Sequence, residues 1–413
     1  MRIVSGSAAE RVIQELEQRG SRLEAIEPKV RKIITDVRHV GDKALLRYAT
    51  LWDRLQKGQA LRVSDSETQA AWRETPQDLR AALRAAAANI RRFCRWQMPR
   101  EWTKSTNGAE LGQLIRPLGS VGCYVPGGRY PLPSTLLMTV IPAQVAGVER
   151  IVVVSPRPQP ATLAAAALLG VTEVYGCGGA QATAALAYGT ETIARVDKIV
   201  GPGNAFVTAA KKLVSFDCAI DMLAGPTEAV VYDDSGTPEF LASDIVAQAE
   251  HDPDAVVVAV TTKPAHAKRI SDAVQLQSMA NPIARQAIRR TGYVLLAESR
   301  QQAIAWVNRS APEHLTIAKR DMPAVQNAGS VFVGDYSPQS AGDYAAGPNH
   351  VLPTAGAARF RGGLSVYDFL KIITVQSFSR RGLEQIAGTV TTLAEAEGLR
   401  AHAESVRVRC GHA

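Results

Sequence analysis

The 413-residue chain has few of the features that mark secreted, membrane-bound or disulfide-stabilised proteins. Its five cysteines are odd in number, widely scattered and without a C-x-x-C pair, so the sequence predicts neither a disulfide framework nor a thiolate zinc site. No apolar run approaches the roughly 20 residues that a membrane-spanning helix requires. The N-terminal segment soon becomes charged and has no apolar signal core. We therefore expect a cytoplasmic protein without a membrane partner.

Sequence motifs for binding nucleic acids or nucleoside triphosphates are also missing. The formal net charge is +8, yet no zinc-finger, RNP or P-loop pattern accompanies it. The basic residues are spread along helical stretches, as with Arg80, Arg84, Arg91 and Arg92, which is typical of a solvated face. We expect no nucleic-acid partner, and the positive charge could instead attract an anionic cofactor.

The composition and the spacing of apolar runs predict the fold class. Hydrophobic residues make up 46% and charged residues 21% of the chain, which is typical of a folded globular protein with room for two or more domains. Short apolar runs alternate with helical stretches in two successive blocks. This order predicts an α/β protein with two Rossmann-like parallel-sheet blocks in tandem, a helical N-terminal region and a helical C-terminal tail. The predicted parts are residues 1–108, a helical region packed on the second block; 109–224, the first block; 225–365, the second block; and 366–413, the tail.

Three glycine-rich turns in the first block suggest an edge that binds phosphate. They are residues 124–128, 176–181 and 201–204, and each lies next to a predicted strand. Glycine lets backbone N–H groups approach a phosphate, and ligands of such sheets lie beyond the carboxyl ends of the strands. None of the turns matches G-x-G-x-x-G, and each alone could be a plain tight turn. Together they favour a bound nucleotide.

Four of the seven histidines lie in short segments that also hold carboxylate or amide side chains. Gln248 and His251 are three residues apart near the end of a predicted helix, so their side chains point the same way. With Asp343 and His402 they would supply two oxygen and two nitrogen ligands, a set suited to a catalytic zinc that still admits substrate. Spacing does not show that these distant residues meet. A lone His251 could instead complement the helix dipole.

Glu313 and His314 are adjacent and follow a predicted helix that ends at about Ser310. The pair is therefore expected on a loop or turn. An ordered Glu-His pair can act as two bases on different atoms of one substrate. A surface ion pair is the alternative interpretation.

These segments together resemble the histidinol dehydrogenases, zinc- and NAD-dependent enzymes of the last two steps of histidine biosynthesis. The resemblance extends over about residues 25–409 in collinear order. The motifs that carry it are residues 122–128, 178–182, 200–207, 224–228, 248–251, 312–315, 340–344 and 349–354.

The resemblance implies a set of site residues and a homodimer with shared active sites. One zinc ion per subunit would be held by Gln248, His251, Asp343 and, from the other subunit, His402. NAD would bind in residues 109–224, and zinc and substrate in 225–365, with the tail reaching the site of the other subunit. Implied NAD contacts are Tyr124, Gln181 and Asn204. Implied substrate contacts are Thr227, Gln248, His251, His314, Asp343, His350, Glu397 and His402.

The resemblance also implies the reaction, in which L-histidinol is oxidised through L-histidinal to L-histidine while two NAD are reduced. His314 would take the hydroxyl proton, Glu313 would activate the water that attacks the aldehyde, and zinc would act as a template for the substrate. Thr227 stands where many members have serine, and Arg129 stands where many have a small residue. A related dehydrogenase of another polar or sulfonated alcohol is the alternative. A non-enzymatic zinc-stabilised or nucleic-acid-binding protein would leave Glu313 and His314 without a purpose.

Overall fold

Two six-stranded sheets and one antiparallel sheet form the framework of the protein, in a computed structural model that describes residues 1–20, 23–56, 58–127 and 131–411. The N-terminal part contains β1 (Arg2–Ser5), α1 (Gly6–Gln18), α2 (Glu27–Val40), α3 (Asp42–Trp52), β2 (Arg62–Val63), α4 (Asp65–Glu74) and α5 (Gln77–Gln97). The first α/β block contains β3 (Trp102–Thr106), β4 (Ala109–Pro117), β5 (Ser120–Tyr124), α6 (Pro133–Ala146), β6 (Arg150–Val154), α7 (Pro160–Leu169), β7 (Glu173–Tyr175), α8 (Gly179–Tyr188), β8 (Lys198–Val200), α9 (Ala205–Val214) and β9 (Ala219–Ile220).

The second block contains β10 (Glu228–Tyr232), α10 (Pro238–Ala249), β11 (Val256–Thr261), α11 (Pro264–Gln277), α12 (Pro282–Thr291), β12 (Tyr293–Leu296), α13 (Arg300–Ser310), β13 (His314–Ile317), β14 (Ser330–Val333) and α14 (Gln339–Tyr344). The C-terminal part contains β15 (Leu370–Phe378), α15 (Arg380–Ala396) and α16 (Arg400–Cys410). Short 3-10 helices lie at Met322–Ala324, Ala357–Arg359 and Val366–Phe369.

The first sheet has the strand order β2-β7-β6-β5-β8-β9 and is parallel except for the β2–β7 pair. The second sheet has the order β1-β12-β11-β10-β13-β14 and is parallel throughout. Strands such as β6 and β11 are runs of valine because helices cover both faces of the sheet. This arrangement confirms the predicted α/β class with two parallel-sheet blocks in tandem. All five cysteines are buried and unpaired, and no helix in the described part of the chain is long and apolar enough to cross a bilayer.

The prediction that residues 1–108 form a helical region packed on the second block is wrong for most of that region. Only β1 and α1 belong there, because β1 pairs with β12 and α1 packs on α13. Helices α2 and α3 pack on α8, while α4 packs on α7 and α5 on α6, all in the first block. Strand β1 gave no strand signal because it is a short edge strand whose side chains are largely exposed.

The prediction of an entirely helical tail is also wrong, because Leu370–Phe378 forms strand β15. This strand pairs antiparallel with all nine residues of β4, and β3 completes the sheet on the other side of β4. The segment is rich in β-branched residues, which favour extended structure. Strand β4 therefore belongs to this antiparallel sheet, although it lies in the range predicted for the first block.

A buried ion pair fixes the glycine turn that follows β8. Lys211 of α9 donates from Nζ to Asp221 and, over 3.0 Å, to the carbonyl oxygen of Gly201. Asp221 also accepts the Gly201 backbone N–H over 2.7 Å. Gly201 has a φ of +111°, and a Cβ there would lie 2.2 Å from the Tyr124 carbonyl oxygen, so the turn requires glycine. The position of this turn thus depends on a charge pair that is almost fully removed from water.

Replacing Lys211 with methionine would leave the Asp221 carboxylate buried without its cation. We expect Lys211→Met to lower the free energy of unfolding by about 3–5 kcal/mol, because the remaining charge is stranded in the interior. Urea denaturation followed by circular dichroism measures this loss. Lys212→Met is the matched control, since the neighbouring Lys212 pairs with Glu27 at the surface. Equal unfolding midpoints for the two variants would contradict this role of the buried pair.

Candidate active site and cofactor cleft

Two adjoining cavities lie where the two large sheets meet. The smaller has a volume of about 230 Å³ and the larger about 870 Å³. Both are lined by Pro126, Leu132 and His251, so the two spaces are contiguous. The smaller cavity contains seven of the predicted site residues: Thr227, Gln248, His251, Glu313, His314, Asp343 and His350. The larger contains Tyr124, Gln181 and Asn204.

Opposite edges of the two sheets form the small cavity. Pro126 and Gly201 follow β5 and β8, so they lie at the carboxyl edge of the first sheet. Thr227 precedes β10 and Glu313 precedes β13, so they lie at the amino edge of the second sheet. The first sheet thus follows the general rule that ligands of parallel sheets bind beyond the carboxyl ends of the strands. The second sheet contributes side chains from the opposite end.

Gln248, His251 and Asp343 come together in the small cavity although they are distant in sequence. Helix α10 begins at Pro238, as its sequence predicts, and ends at Ala249, so Gln248 lies in its last turn and His251 just beyond it. Asp343 comes from the short helix α14. Gln248 Nε2 donates a hydrogen bond of 3.0 Å to Asp343 Oδ2. This bond fixes the amide orientation and leaves the amide oxygen as the atom that could bind a cation.

The chemistry of these three donors fits a zinc-like ion. The described residues contain no group of three or more His, Cys, Asp or Glu side chains that could hold a metal. In the small cavity, the neutral amide of Gln248 joins the imidazole of His251 and the carboxylate of Asp343 as the third donor. Three nitrogen and oxygen ligands with a further position open to substrate are typical of catalytic zinc sites. We therefore regard this wall of the cavity as a candidate metal centre.

The His314 imidazole lies between two carboxylates. Its Nε2 is 3.3 Å from Asp343 Oδ1, its Nδ1 is 3.6 Å from Glu313 Oε2, and its ring stacks on Phe332 with centroids 6.0 Å apart. Burial lowers the pKa of His314, but the two carboxylates outweigh this effect and raise the pKa to about 10. With both carboxylates uncompensated, His314 is therefore protonated at neutral pH.

Glu313 and His314 do not form the surface ion pair that was the alternative interpretation. Their exposed fractions are only 7% and 3%. Glu313 lies between α13 and β13, as expected for a loop residue, whereas His314 is the first residue of β13. The strand orients the imidazole, and the Glu228 backbone N–H holds Glu313 Oε2 at 2.9 Å.

His350 closes the small cavity near Asp343. Its Nδ1 lies 2.7 Å from the backbone carbonyl oxygen of Asp343, and its Nε2 lies 3.3 Å from Thr135 Oγ1. A carbonyl oxygen can only accept, so Nδ1 carries a proton and donates it. Burial lowers the pKa of His350, which favours the neutral ring. In that state Nε2 is an acceptor that faces the Thr135 hydroxyl.

The three predicted NAD-contacting residues lie along the larger cavity. The Tyr124 hydroxyl accepts the Gly179 backbone N–H over 3.0 Å, and burial raises the pKa of Tyr124 well above its usual value. Asn204 Oδ1 caps helix α9 by accepting the N–H groups of Phe206 and Val207. Gln181 Oε1 is buried without a hydrogen-bond partner in the described residues. An acceptor left unpaired beside a cavity suggests a ligand donor.

Two contributions to the site come from the N-terminal region and were not predicted. Asp53 is buried beneath the glycine turn before α8, where it accepts the Gly178 N–H over 3.0 Å and the Gln181 amide over 3.1 Å. Arg19 pairs with Glu228, the residue whose backbone holds Glu313. Glu228 is part of the 224–228 motif, which was the only sequence signal for this pair. Asp53 had none.

Two predicted residues lie away from both cavities of this chain. Glu397 follows α15 and His402 lies in α16, and both are exposed. Neither residue lines either cavity. Arg129, which stands where many members of the family have a small residue, lies outside the described part of the chain.

Comparison with known proteins identifies the family. The family model for histidinol dehydrogenase matches residues 16–410. The chain belongs to the histidinol dehydrogenase family. It is 49% identical over 405 residues to histidinol dehydrogenase of Haloarcula marismortui, covering 95% of each chain, and 46% identical to that of Methanosarcina mazei, covering 98% of this chain and 96% of the relative.

A solved structure supports the same conclusion for the fold. Histidinol dehydrogenase from Elizabethkingia anophelis superposes with a TM-score of 0.93 at 38% sequence identity, over 99% of this chain and 98% of that one. These findings confirm the predicted family, the tandem α/β fold and an oxidoreductase of the dehydrogenase type. They also exclude the non-enzymatic alternative.

Proposed function

We propose that the protein is an L-histidinol dehydrogenase that oxidises L-histidinol through L-histidinal to L-histidine and reduces two NAD, in the last two steps of histidine biosynthesis. The observation that carries this proposal is the meeting of two cavities. The smaller cavity is lined by the two proposed bases, Glu313 and His314, and by the three metal donors. It opens into the larger cavity, which is long enough to suit a dinucleotide. An alcohol in the smaller cavity would lie next to a hydride acceptor in the larger cavity.

Gln248, His251 and Asp343 would hold the zinc ion, with His402 of a second copy of the chain as the fourth protein ligand. When bound, zinc would anchor the imidazole and amine of histidinol and so orient the reacting carbon. The walls of the small cavity would exclude bulk solvent and enclose the single water that later adds to that carbon. Thr227 and His350, which also line the cavity, can hydrogen-bond to the polar groups of the substrate.

The two bases would act in succession. A zinc ion held by Asp343 would offset the charge of one flanking carboxylate and so lower the pKa of His314, and the neutral ring would then accept the hydroxyl proton as hydride leaves for NAD. Glu313 would then take a proton from the water that adds to the aldehyde. The backbone N–H of Glu228 holds one Glu313 oxygen, which leaves the other available to that water. Both residues are buried, so the aldehyde can stay enclosed between the two oxidations.

NAD would occupy the larger cavity along the carboxyl edge of the first sheet. Lys29, Lys32 and Arg157 line this cavity and would complement the negative charge of the pyrophosphate. Tyr124, Gln181 and Asn204 lie along the same surface, near the glycine turns. The nicotinamide end would reach Pro126 and His251, where the two cavities join.

The second copy of the chain would be recruited by the C-terminal arm, residues 370–410. Ile372 and Ile373 are consecutive in β15, so they point to opposite faces, and they are 52% and 44% exposed. The other exposed large apolar side chains of the arm are Val375, Phe378, Ile386, Leu393, Leu399 and Val408. Apolar surface of this kind is typical of an interface with another chain. We propose a homodimer in which each arm brings Glu397 and His402 to the partner's small cavity.

The proposed reaction has a defined stoichiometry. We expect the zinc-loaded protein to form about two NADH per L-histidinol consumed, because the enclosed aldehyde is oxidised before it leaves. Absorbance of NADH and chromatographic assay of histidine measure both products. Turnover of a different alcohol but not of histidinol would contradict the proposal and favour a related dehydrogenase.

The separate roles of the two bases predict a selective defect. Glu313→Gln keeps the shape of the side chain but removes the base, so we expect oxidation of L-histidinal to slow by about 100-fold or more, the usual range for a lost general base. Oxidation of L-histidinol to the aldehyde should slow far less. Single-turnover kinetics with each substrate separates the two steps. Equal slowing of both would remove Glu313 from water activation.

A further inference from the structure

A second layer of polar side chains lies beneath the side chains that face the small cavity. It consists of Asp244, Thr316 and Gln339, which are all buried and do not line the cavity. Each precedes or follows a cavity residue at a spacing that places both on one face of the same element. Asp244 is four residues before Gln248 on α10, Thr316 is two residues after His314 on β13, and Gln339 is four residues before Asp343 on α14.

The three side chains join α10, β13 and α14 to one another. The Thr316 hydroxyl donates to Asp244 Oδ2 over 2.9 Å and accepts the Gln339 amide over 3.0 Å. The Gln339 backbone N–H donates to Asp244 Oδ1 over 3.0 Å. Each element is therefore tied directly to both of the others.

The cavity layer joins the same three elements through Asp343 alone. Gln248 of α10 contacts Asp343 of α14 over 3.0 Å, and His314 of β13 lies 3.3 Å from the same carboxylate. Four residues of a helix and two residues of a strand both span about 6 Å. The lower layer therefore lies at about the same distance from the cavity layer along each of the three elements. A shift of any one element in the lower layer would be transmitted to the upper one.

Helix α14 depends most on the lower layer. It has only six residues, and its N-cap Pro338 provides no side-chain hydrogen bond. A helix this short is not stable by itself and leaves its first N–H groups without partners. Asp244 accepts the first of them, that of Gln339, and so replaces the missing cap from a neighbouring helix.

We propose that Asp244, Thr316 and Gln339 are positioning residues that set the distances of Gln248 and His314 from Asp343, and that the placement of the ligands Gln248 and Asp343 in turn sets the affinity for zinc. This inference rests on the proposed metal site. The residues of the lower layer do not line the small cavity in which substrate and metal would bind. Groups that orient metal ligands typically change metal affinity by about 10- to 100-fold when they are removed.

The test compares zinc affinity of the full-length protein and its variants by competition with a chromophoric chelator. Thr316→Val keeps the shape of the side chain but removes the hydroxyl, and we expect zinc to bind about 10- to 100-fold more weakly. Thr316→Ser restores a hydroxyl, so its zinc affinity should stay within about threefold of that of the unchanged protein, a change well below the loss expected for Thr316→Val.

Thr261→Val provides the matched control. Thr261 is also buried on the second sheet and donates to a carboxylate, that of Asp234, over 2.6 Å. Unlike β13, its strand β11 carries no residue that lines the small cavity. We expect both valine variants to lose thermal stability in zinc-free buffer, but only Thr316→Val to lose zinc affinity.

Each outcome decides one point. Unchanged zinc affinity in Thr316→Val, or an equal loss in Thr261→Val, would overturn the positioning role. If Thr316→Val does not fold, Gln339→Met removes the amide donor on the other side of the same hydroxyl and is subject to the same criteria. Absence of zinc binding by the unchanged protein would overturn the metal site itself, and the positioning role with it.

Discussion

The geometry of the small cavity depends on the contacts made by Asp343. Its carboxylate receives the Gln248 amide at 3.0 Å and faces His314 at 3.3 Å, and its backbone carbonyl receives His350 at 2.7 Å. Polar groups from a helix, a strand and a loop therefore converge on one residue. This convergence requires close packing at the preceding residue, Gly342. A Cβ there would lie 2.7 Å from the ring of Phe332.

The tandem arrangement of the two sheets would allow one protein to bind a dinucleotide and also provide the proposed bases. Glycine turns at the carboxyl edge of the first sheet surround the larger cavity, where backbone N–H groups and cationic side chains suit phosphate. The amino edge of the second sheet provides Glu313 and His314 instead. Because the two edges face each other, a hydride donor and its acceptor would be separated only by the junction at Pro126 and His251.

Much of this fold and site could be predicted because the information is local. Valine runs and glycine turns indicated the two sheets, and the adjacent Glu313 and His314 indicated a pair of bases. The contribution of Asp53 could not be predicted, since a single acidic residue in a helical region gives no sign that it reaches a turn 125 residues later. Strand β1 was missed for a similar reason, because its pairing with β12 depends on contacts almost 300 residues away.

We propose that two copies of the chain build each active site, because Glu397 and His402 line neither cavity of their own chain. Co-expression of His251→Asn with His402→Asn tests it most directly. Each variant alone should be inactive. A mixed dimer would contain one site with both histidines and one site with neither. Random pairing makes about half of the dimers mixed, which predicts about a quarter of the activity of the unchanged protein. Activity no higher than that of the separate variants would contradict a shared site.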